Sequence, residues 1–382
     1  MKFVFYSPTK VNFGTIDYSA LCNEINNYGN KVLILSGGKS TTNIAIQVQK
    51  SICFLQKDYQ IDLIDGIQSN PLSSKIEEIK ASTSKPDIII SVGGGSVHDS
   101  AKALSILFTH QGSVEQFSVD GTIGVSGITQ TTLPIITIPT IFGSGAEISP
   151  AALIRIRDKK RIIFSPYVYP KATFVNPEFA LSATMKCILY SAIDAFVQGI
   201  ESYVSSFSQD YSEKFSLSAI TRIVDCLIEY KSNLNNNHAL EQIALAANES
   251  MNAIMQSSVG AVHALSDPLS GMFNLHHGQA VGFLLPSVID INYPFATKKY
   301  DHLQRIIDCR LGVSHNSIRE SIIDFYKYIE FDYKLIAKKL KDCGIEERIN
   351  QCVQDSFNND LEGNPRLLDD QTIESIFYSA LR

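Results

Sequence analysis

At 382 residues the chain is longer than one hydrophobic core comfortably fills, so two domains are expected. Hydrophobic residues make up 45% and charged ones 19%, which excludes a largely disordered chain, and a net charge of −6 offers nucleic acid or an anionic membrane no basic face. Seven scattered cysteines with no CxxC pair read as reduced thiols, most of them small buried hydrophobes. No run approaches the roughly 18 apolar residues of a membrane span, so a cytoplasmic protein is expected.

Residues 1–178 alternate short β-branched runs with helical segments. KVLILS (Lys31–Ser36), QIDLID (Gln60–Asp65), DIIISV (Asp87–Val92) and PIITIP (Pro134–Pro139) have the length and near-continuous apolarity of strands covered on both faces. Thr41–Leu55 and Leu72–Ala81 read as the helices between them. This alternation predicts parallel pairing with right-handed crossovers, an α/β doubly wound, Rossmann-like domain. Ala152–Phe164, two alternating runs around a charged RDKKR turn, predicts a hairpin. Beyond Asn176 the strand signal stops. Helical patterns follow over Ala183–Val204, Asp210–Lys231, Ala239–Gln256, Gln279–Ile291, Tyr300–Arg310, Ser317–Tyr328 and Gln371–Leu381, so residues 179–382 form an all-α, helical-bundle domain. A cleft between the two domains is the expected place for a small ligand.

Four stretches carry chemistry. SVGGGSVHDSAKA (Ser91–Ala103) follows a predicted strand and opens a predicted helix, so Gly93, Gly94 and Gly95 let backbone N–H groups close on an anion, with Ser96 adding a hydroxyl. The spacing is not GxGxxG, and the competing reading is a plain turn. Three glycines that each forfeit about 1 kcal/mol relative to alanine argue against it. Asp99 in the first turn favours the helix dipole. PTIFGSGAEIS (Pro139–Ser149) is a second Gly-bearing turn, whose Thr140 and Ser144 are placed to meet a ribose or nicotinamide; two such loops at strand ends favour a nucleotide over a lone phosphate. In SAIDAFVQGIESYVS (Ser191–Ser205), Asp194 and Gln198 share a helix face, with Glu201 and Ser202 on the following turn, and a carboxylate amid apolar neighbours needs a partner. GAVHALSDPLSGMFNLHHG (Gly260–Gly278) holds His263 and Asp267 four residues apart on a helix, then His276 and His277 after a Gly-containing break. Asp194 with His263 and His277 makes a divalent-metal set for Zn²⁺ or Fe²⁺; the competing reading is satisfied core histidines.

These motifs, with the closing GNPR (Gly363–Arg366), stand in the order seen in the iron-containing (group III) alcohol dehydrogenases, a branch of the dehydroquinate-synthase-like fold, and nearly the whole chain resembles that family. The resemblance implies an N-terminal nucleotide-binding domain, a C-terminal helical domain, NAD or NADP across the Gly-rich loops, and a divalent metal held by an Asp and three His. Asp194, His263 and His277 match three of the ligands. Gln198 stands where the family has its other His, and its amide oxygen is a harder, weaker ligand than imidazole. Asp267 replaces a His that many members use for proton relay, and since an ordinary aspartate has a pKa of about 3.9 it needs burial to serve near neutrality. His276 is an extra imidazole, an alternative relay.

The family's cofactor contacts fall on Asn70, Gly94, Gly95, Ser96, Asp99, Thr140, Ser144 and Lys160. Where NAD-preferring relatives often carry an Asp, this chain has Gly37, Gly38 and Lys39, which would meet a 2′-phosphate with donors, so NADP is preferred over NAD. The activity implied is reversible hydride transfer between the nicotinamide and a primary alcohol or aldehyde. Two alternatives stay open: a dehydrogenase for a sugar acid of the octulosonate kind, and a degenerate, metal-free binding or regulatory member, which Gln198 keeps in view. Relatives are often dimers or larger, and the FVFYS stretch (Phe3–Ser7), read as a strand, offers an edge for a homo-oligomer.

Overall fold

The computed structural model describes residues 3–157 and 159–382. It contains two compact units, one of Ser7–Ser182 and one of Ala183–Arg382 joined by the N-terminal residues up to Tyr6.

The first unit runs β1 (Lys10–Phe13), α1 (Tyr18–Asn26), β2 (Lys31–Ser36), α2 (Lys39–Leu55), β3 (Gln60–Ile64), α3 (Ser73–Ser82), β4 (Ile88–Gly93), α4 (Gly95–Leu107), α5 (Val114–Phe117), β5 (Ile135–Pro139), β6 (Ala151–Ile156), β7 (Lys159–Phe164) and β8 (Ala172–Val175). Six strands form one sheet in the order β1-β8-β5-β4-β2-β3, every neighbouring pair parallel. The continuous apolar strands β2, β4 and β5 are covered on both faces, whereas β3, expected to be like them, is the sheet's edge and has no fully buried residue. On β4, Ile88, Ile90 and Val92 join the cluster with Leu21, Ile25, Val48 and Ile52 of α1 and α2, whereas Ile89 joins Ile76, Leu104 and Phe117 of α3 to α5. Each such buried side chain contributes roughly 1.5–3 kcal/mol. The chain leaves β2 towards β3 on one side and returns to β4 on the other, so the adjacent carboxyl ends of β2 and β4 mark the switch point of the sheet.

The expected hairpin is β6–β7, antiparallel with Ala151 opposite Phe164 and Ile156 opposite Lys159, so Lys159, Lys160 and Arg161 of the expected turn belong to β7; Asp158 lies outside the described residues. Strands β1 and β8, four residues each, escape the sequence reading because so short a run has no legible period. FVFYS forms no strand among the described residues. Phe3 instead packs on Tyr211, and Phe5 stacks on Tyr211 and Phe215, and the stretch up to Tyr6 belongs to the second unit.

That second unit is helical: α6 (Met185–Val204), α7 (Asp210–Tyr230), α8 (Asn237–Ser257), α9 (Ala261–Phe273), α10 (His277–Asn292), α11 (Thr297–Leu311), α12 (Ile318–Tyr328), α13 (Tyr333–Asp342), α14 (Ile345–Asp355) and α15 (Asp370–Leu381). Helices α13 and α14 are additions to the sequence reading; they are short and charged, and Gly344 separates them in a left-handed conformation at φ +76°. No helix among the described residues is long and apolar enough to cross a membrane. All seven cysteines are free, but only Cys22, Cys226 and Cys352 are buried, so the expectation of mostly buried thiols fails at Cys53, Cys309 and Cys343, which are exposed, and at half-buried Cys187.

Helices α6 and α10 meet at backbone distance. A Cβ on Gly278 would lie 1.8 Å from the Tyr190 carbonyl oxygen, and one on Gly282 would lie 2.8 Å from Ile193 Cγ2. Glycine at these two positions, one helical turn apart, lets the helices approach. Gly278→Ala is expected to lower the unfolding free energy by roughly 1–3 kcal/mol, because the atom it meets belongs to a helix backbone that must shift. Gly38→Ala, whose Cβ meets nothing within 4 Å, is expected to leave the midpoint of urea denaturation nearly unchanged.

Candidate functional site

In the helical unit, α6 places Asp194, Gln198 and Glu201 one turn after another on a single buried face. Burial of an unpaired carboxylate among Ile193, Ala195, Phe196 and Val197 would be costly, and two histidines answer it. His263 Nε2, from the first turn of α9, lies 3.5 Å from Asp194 Oδ1, and His277 Nε2, from the first residue of α10, lies 3.6 Å from the same oxygen. The three potential ligand atoms all lie within 4.8 Å of one another. His263 Nε2 is buried and makes no hydrogen bond. One carboxylate oxygen and two imidazole nitrogens converging on a small buried space suit a divalent cation of the Zn²⁺ or Fe²⁺ type.

The neighbours orient these groups. Helix α9 begins at Gly260 without a side-chain cap of its own. Glu201 fills that role from α6, its Oε1 accepting from Val262 N–H at 2.6 Å and its Oε2 from His263 N–H at 3.3 Å, while Oε2 also bonds His263 Nδ1 at 2.5 Å. With Nδ1 turned to this carboxylate, Nε2 is the nitrogen that faces Asp194. The sequence reading placed Glu201 next to the site without a role; its recurrence seven residues after Asp194 on the same face was the available signal.

Gln198 lies beside the three, its Nε2 3.4 Å from Asp194 Oδ1 and its Oε1 accepting from Ser250 Oγ at 2.8 Å. Ser250 Oγ also reaches the Ala247 carbonyl at 3.0 Å. If its single proton goes to Ala247, its lone pair accepts from the Gln198 amide nitrogen instead, and the amide oxygen then turns towards Asp194. Either orientation of the amide satisfies Ser250.

Electrostatics follow from this packing. Burial alone would lower the pKa of His263, yet the Asp194 carboxylate beside Nε2, the Glu201 bond at Nδ1 and the charges of both outweigh it and push the imidazole up to about 10. Burial likewise works to raise Asp194, but the charges of His277, His263 and His276 with the His263 contact bring it below its ordinary value. Asp360, in the turn Asn359–Gly363, is pushed up to about 7, first by burial and then by the charge of Asp267, with His263 opposing. Sequence reasoning missed Asp360. Asp267 is half-buried on α9, whereas His276 is exposed and caps α10, accepting from Gly278 N–H at 3.2 Å with its ring 5.5 Å from that of Tyr190.

The α/β unit gathers most of the remaining candidate residues at the carboxyl edge of its sheet. Gly37, Gly38 and Lys39 follow β2, and Gly94, Gly95 and Ser96 follow β4, each loop opening a helix, α2 or α4, whose N-terminus no side chain caps. These are unneutralised positive dipole ends at the switch point. Asn70, left-handed at φ 53°, donates its N–H to Ser96 Oγ at 3.2 Å, and Thr140 N–H donates to the Gly93 carbonyl at 3.0 Å. A Cβ on Gly95 would lie 2.9 Å from Ser144 Oγ, so the two Gly-bearing turns touch. Asp99 lies beyond the first turn of α4, where the sequence reading had put it, and Lys160 is on β7. Asp99 is buried beside Lys102 (3.8 Å), burial lifting it to about 6 against the Lys102 and Lys160 charges. Lys102, fully buried and unforeseen, donates to the Ala146 and Ala151 carbonyls at 2.8 and 2.7 Å and so ties the second turn to α4.

Known proteins share this architecture. The family profile described as iron-containing alcohol dehydrogenase matches residues 8–177, and that described as the C-terminal part of the Fe-containing alcohol dehydrogenase family matches residues 188–381. A long-chain-alcohol dehydrogenase of Geobacillus thermodenitrificans is 27% identical over 78% of this chain and 75% of its own length. The 1,3-propanediol dehydrogenase of Klebsiella pneumoniae is 25% identical over 87% of each. The crystal structure of an iron-containing alcohol dehydrogenase from Thermotoga maritima superposes with a TM-score of 0.84 at 23% identity, covering 100% of this chain and 99% of that one, a likeness of fold.

A pH dependence follows for the protein stripped of metal by a chelator. A histidine raised in the folded state stabilises it fully below the ordinary value of 6.5, and that contribution is lost as pH rises through about 10. Thermal unfolding followed from neutral to alkaline pH is expected to show falling stability in the wild type and a flatter profile in His263→Ala.

Proposed function

This chain belongs to the iron-containing alcohol dehydrogenase family, whose members are oxidoreductases acting on CH–OH groups, and from that premise we propose that it is a metal-dependent, NADP-preferring alcohol dehydrogenase or aldehyde reductase. The observation that carries this reading is the convergence of Asp194, His263 and His277, with His263 Nε2 buried and without a hydrogen bond. When bound, the cation supplies Lewis acidity towards the substrate oxygen, and the nicotinamide supplies or accepts the hydride.

The chain's own residues divide the remaining work. Asp194, His263 and His277 hold the cation, and Gln198 adds its amide oxygen when Ser250 donates to Ala247. Asp267 moves the hydroxyl proton. Its neighbour Asp360, raised to about 7, keeps a proton available to that carboxylate pair near neutrality. In the other unit, the uncapped ends of α2 and α4 bind the phosphates, with Ser96, Thr140 and Ser144 adding hydroxyls. Gly37, Gly38 and Lys39 leave room and charge for a 2′-phosphate, which supports NADP over NAD. A primary alcohol or aldehyde is the proposed substrate.

Purified protein reconstituted with Fe²⁺ or Zn²⁺ is expected to reduce short aldehydes with a lower KM for NADPH than for NADH. His263→Ala should lose both bound metal and turnover while keeping nucleotide affinity in a fluorescence titration. Full turnover in metal-stripped enzyme would overturn the assignment. Gln198→His is expected to tighten metal binding roughly tenfold in a chelator competition, since imidazole is the better ligand for these ions.

A further inference from the structure

We propose that Glu201 is a positioning residue of the metal centre: by holding the Nδ1 proton of His263, it commits the Nε2 lone pair to the cation and sets the affinity of the site. This inference rests on the proposed metal reading, because it concerns how one of its ligands is aimed.

The carboxylate does two jobs with the same two oxygens. It accepts the Val262 and His263 backbone N–H groups of the first turn of α9, and it accepts from the His263 ring. A neutral imidazole carries one proton on one of its nitrogens. When the ring is neutral, as a metal ligand must be, an acceptor-only carboxylate at 2.5 Å from Nδ1 requires the one proton to sit on Nδ1, which frees Nε2, 3.5 Å from Asp194, for the cation. The same bond fixes the ring plane and, through the negative charge behind it, makes Nε2 a stronger donor.

Glu201 is in turn enclosed. It is 5% exposed, and with Asn292, Tyr300 and Asn364 it lines a cavity of about 10 Å³, no larger than one water. A Cβ on Gly260 would lie 3.1 Å from Glu201 Oε1, so glycine at the start of α9 is what lets the carboxylate reach the helix.

The rival account is that Glu201 is only a helix cap. Asn364 separates the two, since its Oδ1 accepts from Ala261 N–H at 3.3 Å in the same turn without touching His263. Four full-length proteins are compared for Zn²⁺ affinity by chelator competition and for thermal stability: wild type, Glu201→Gln, Asn364→Ala and His263→Ala. Glutamine has one carbonyl oxygen and cannot serve both Val262 and the His263 ring. Glu201→Gln is therefore expected to weaken Zn²⁺ binding roughly 10- to 100-fold, while Asn364→Ala lowers stability and leaves affinity close to the wild type. Equal losses of affinity in the two variants, or an unchanged Glu201→Gln, would overturn the proposal while leaving the metal centre standing. Wild type that binds no Zn²⁺, or His263→Ala that binds it equally, would bring down the metal reading itself. A readout independent of variant folding is the ¹⁵N NMR spectrum of the Zn²⁺-loaded wild type. A proton on His263 Nδ1 and none on Nε2 is expected, and the reverse would refute the role.

Discussion

A carboxylate inside an apolar helix has to be answered by charge or by proton, and Asp194 imposes that condition on the whole helical unit. It sits 5% exposed in a stretch of α6 where its neighbours are fully buried hydrocarbons. The two imidazoles that meet it come from the first turns of α9 and α10, some seventy and eighty positions further along the chain, so their arrival depends on how three helices pack. In a low-dielectric setting such a cluster is neutralised by a proton, the direction in which Asp194 and Glu201 push His263, or by a cation.

The packing that permits this is close and specific. Gly278 and Gly282 remove the side chains that would keep α10 away from α6, and His277, adjacent to the first of them, is carried within 3.6 Å of Asp194 as a result. Around this contact lies a layer of polar groups, each with a defined partner: Glu201 on His263, Ser250 on Gln198, Asp360 near Asp267. Gln198 is the point at which the layer is adjustable, because its amide can present either end to Asp194.

In the α/β unit the corresponding constraint is dipolar. Two helices start without side-chain caps at the adjacent ends of β2 and β4, and their orphan N–H groups are best satisfied by an anion. Lys102 shows how much of this edge is held from within: a fully buried ammonium, its pKa lowered to about 8 chiefly by burial, anchors the neighbouring loop through backbone carbonyls.

Periodicity and composition were enough to read the central strands, the hairpin, the long helices and the class of fold, because two-sided burial and helical amphipathicity are written locally in residue type. They were silent on β1, β8, α13 and α14, whose runs are too short or too charged, and misleading at FVFYS, where aromatic side chains prefer rings on α7 to a strand partner. The residues offered as a site, Asp194, Gln198, His263 and His277, could be named from motif order, yet no spacing along the chain states that their ligand atoms lie within 4.8 Å, that His276 caps a helix, or that Glu201 and Asp360 stand behind them. Residue identity determined which chemistry was available. Which nitrogen of His263 faces Asp194 and which carboxylates stand near one another were decided only by tertiary packing, since those depend on distances of a few ångströms between helices remote in sequence.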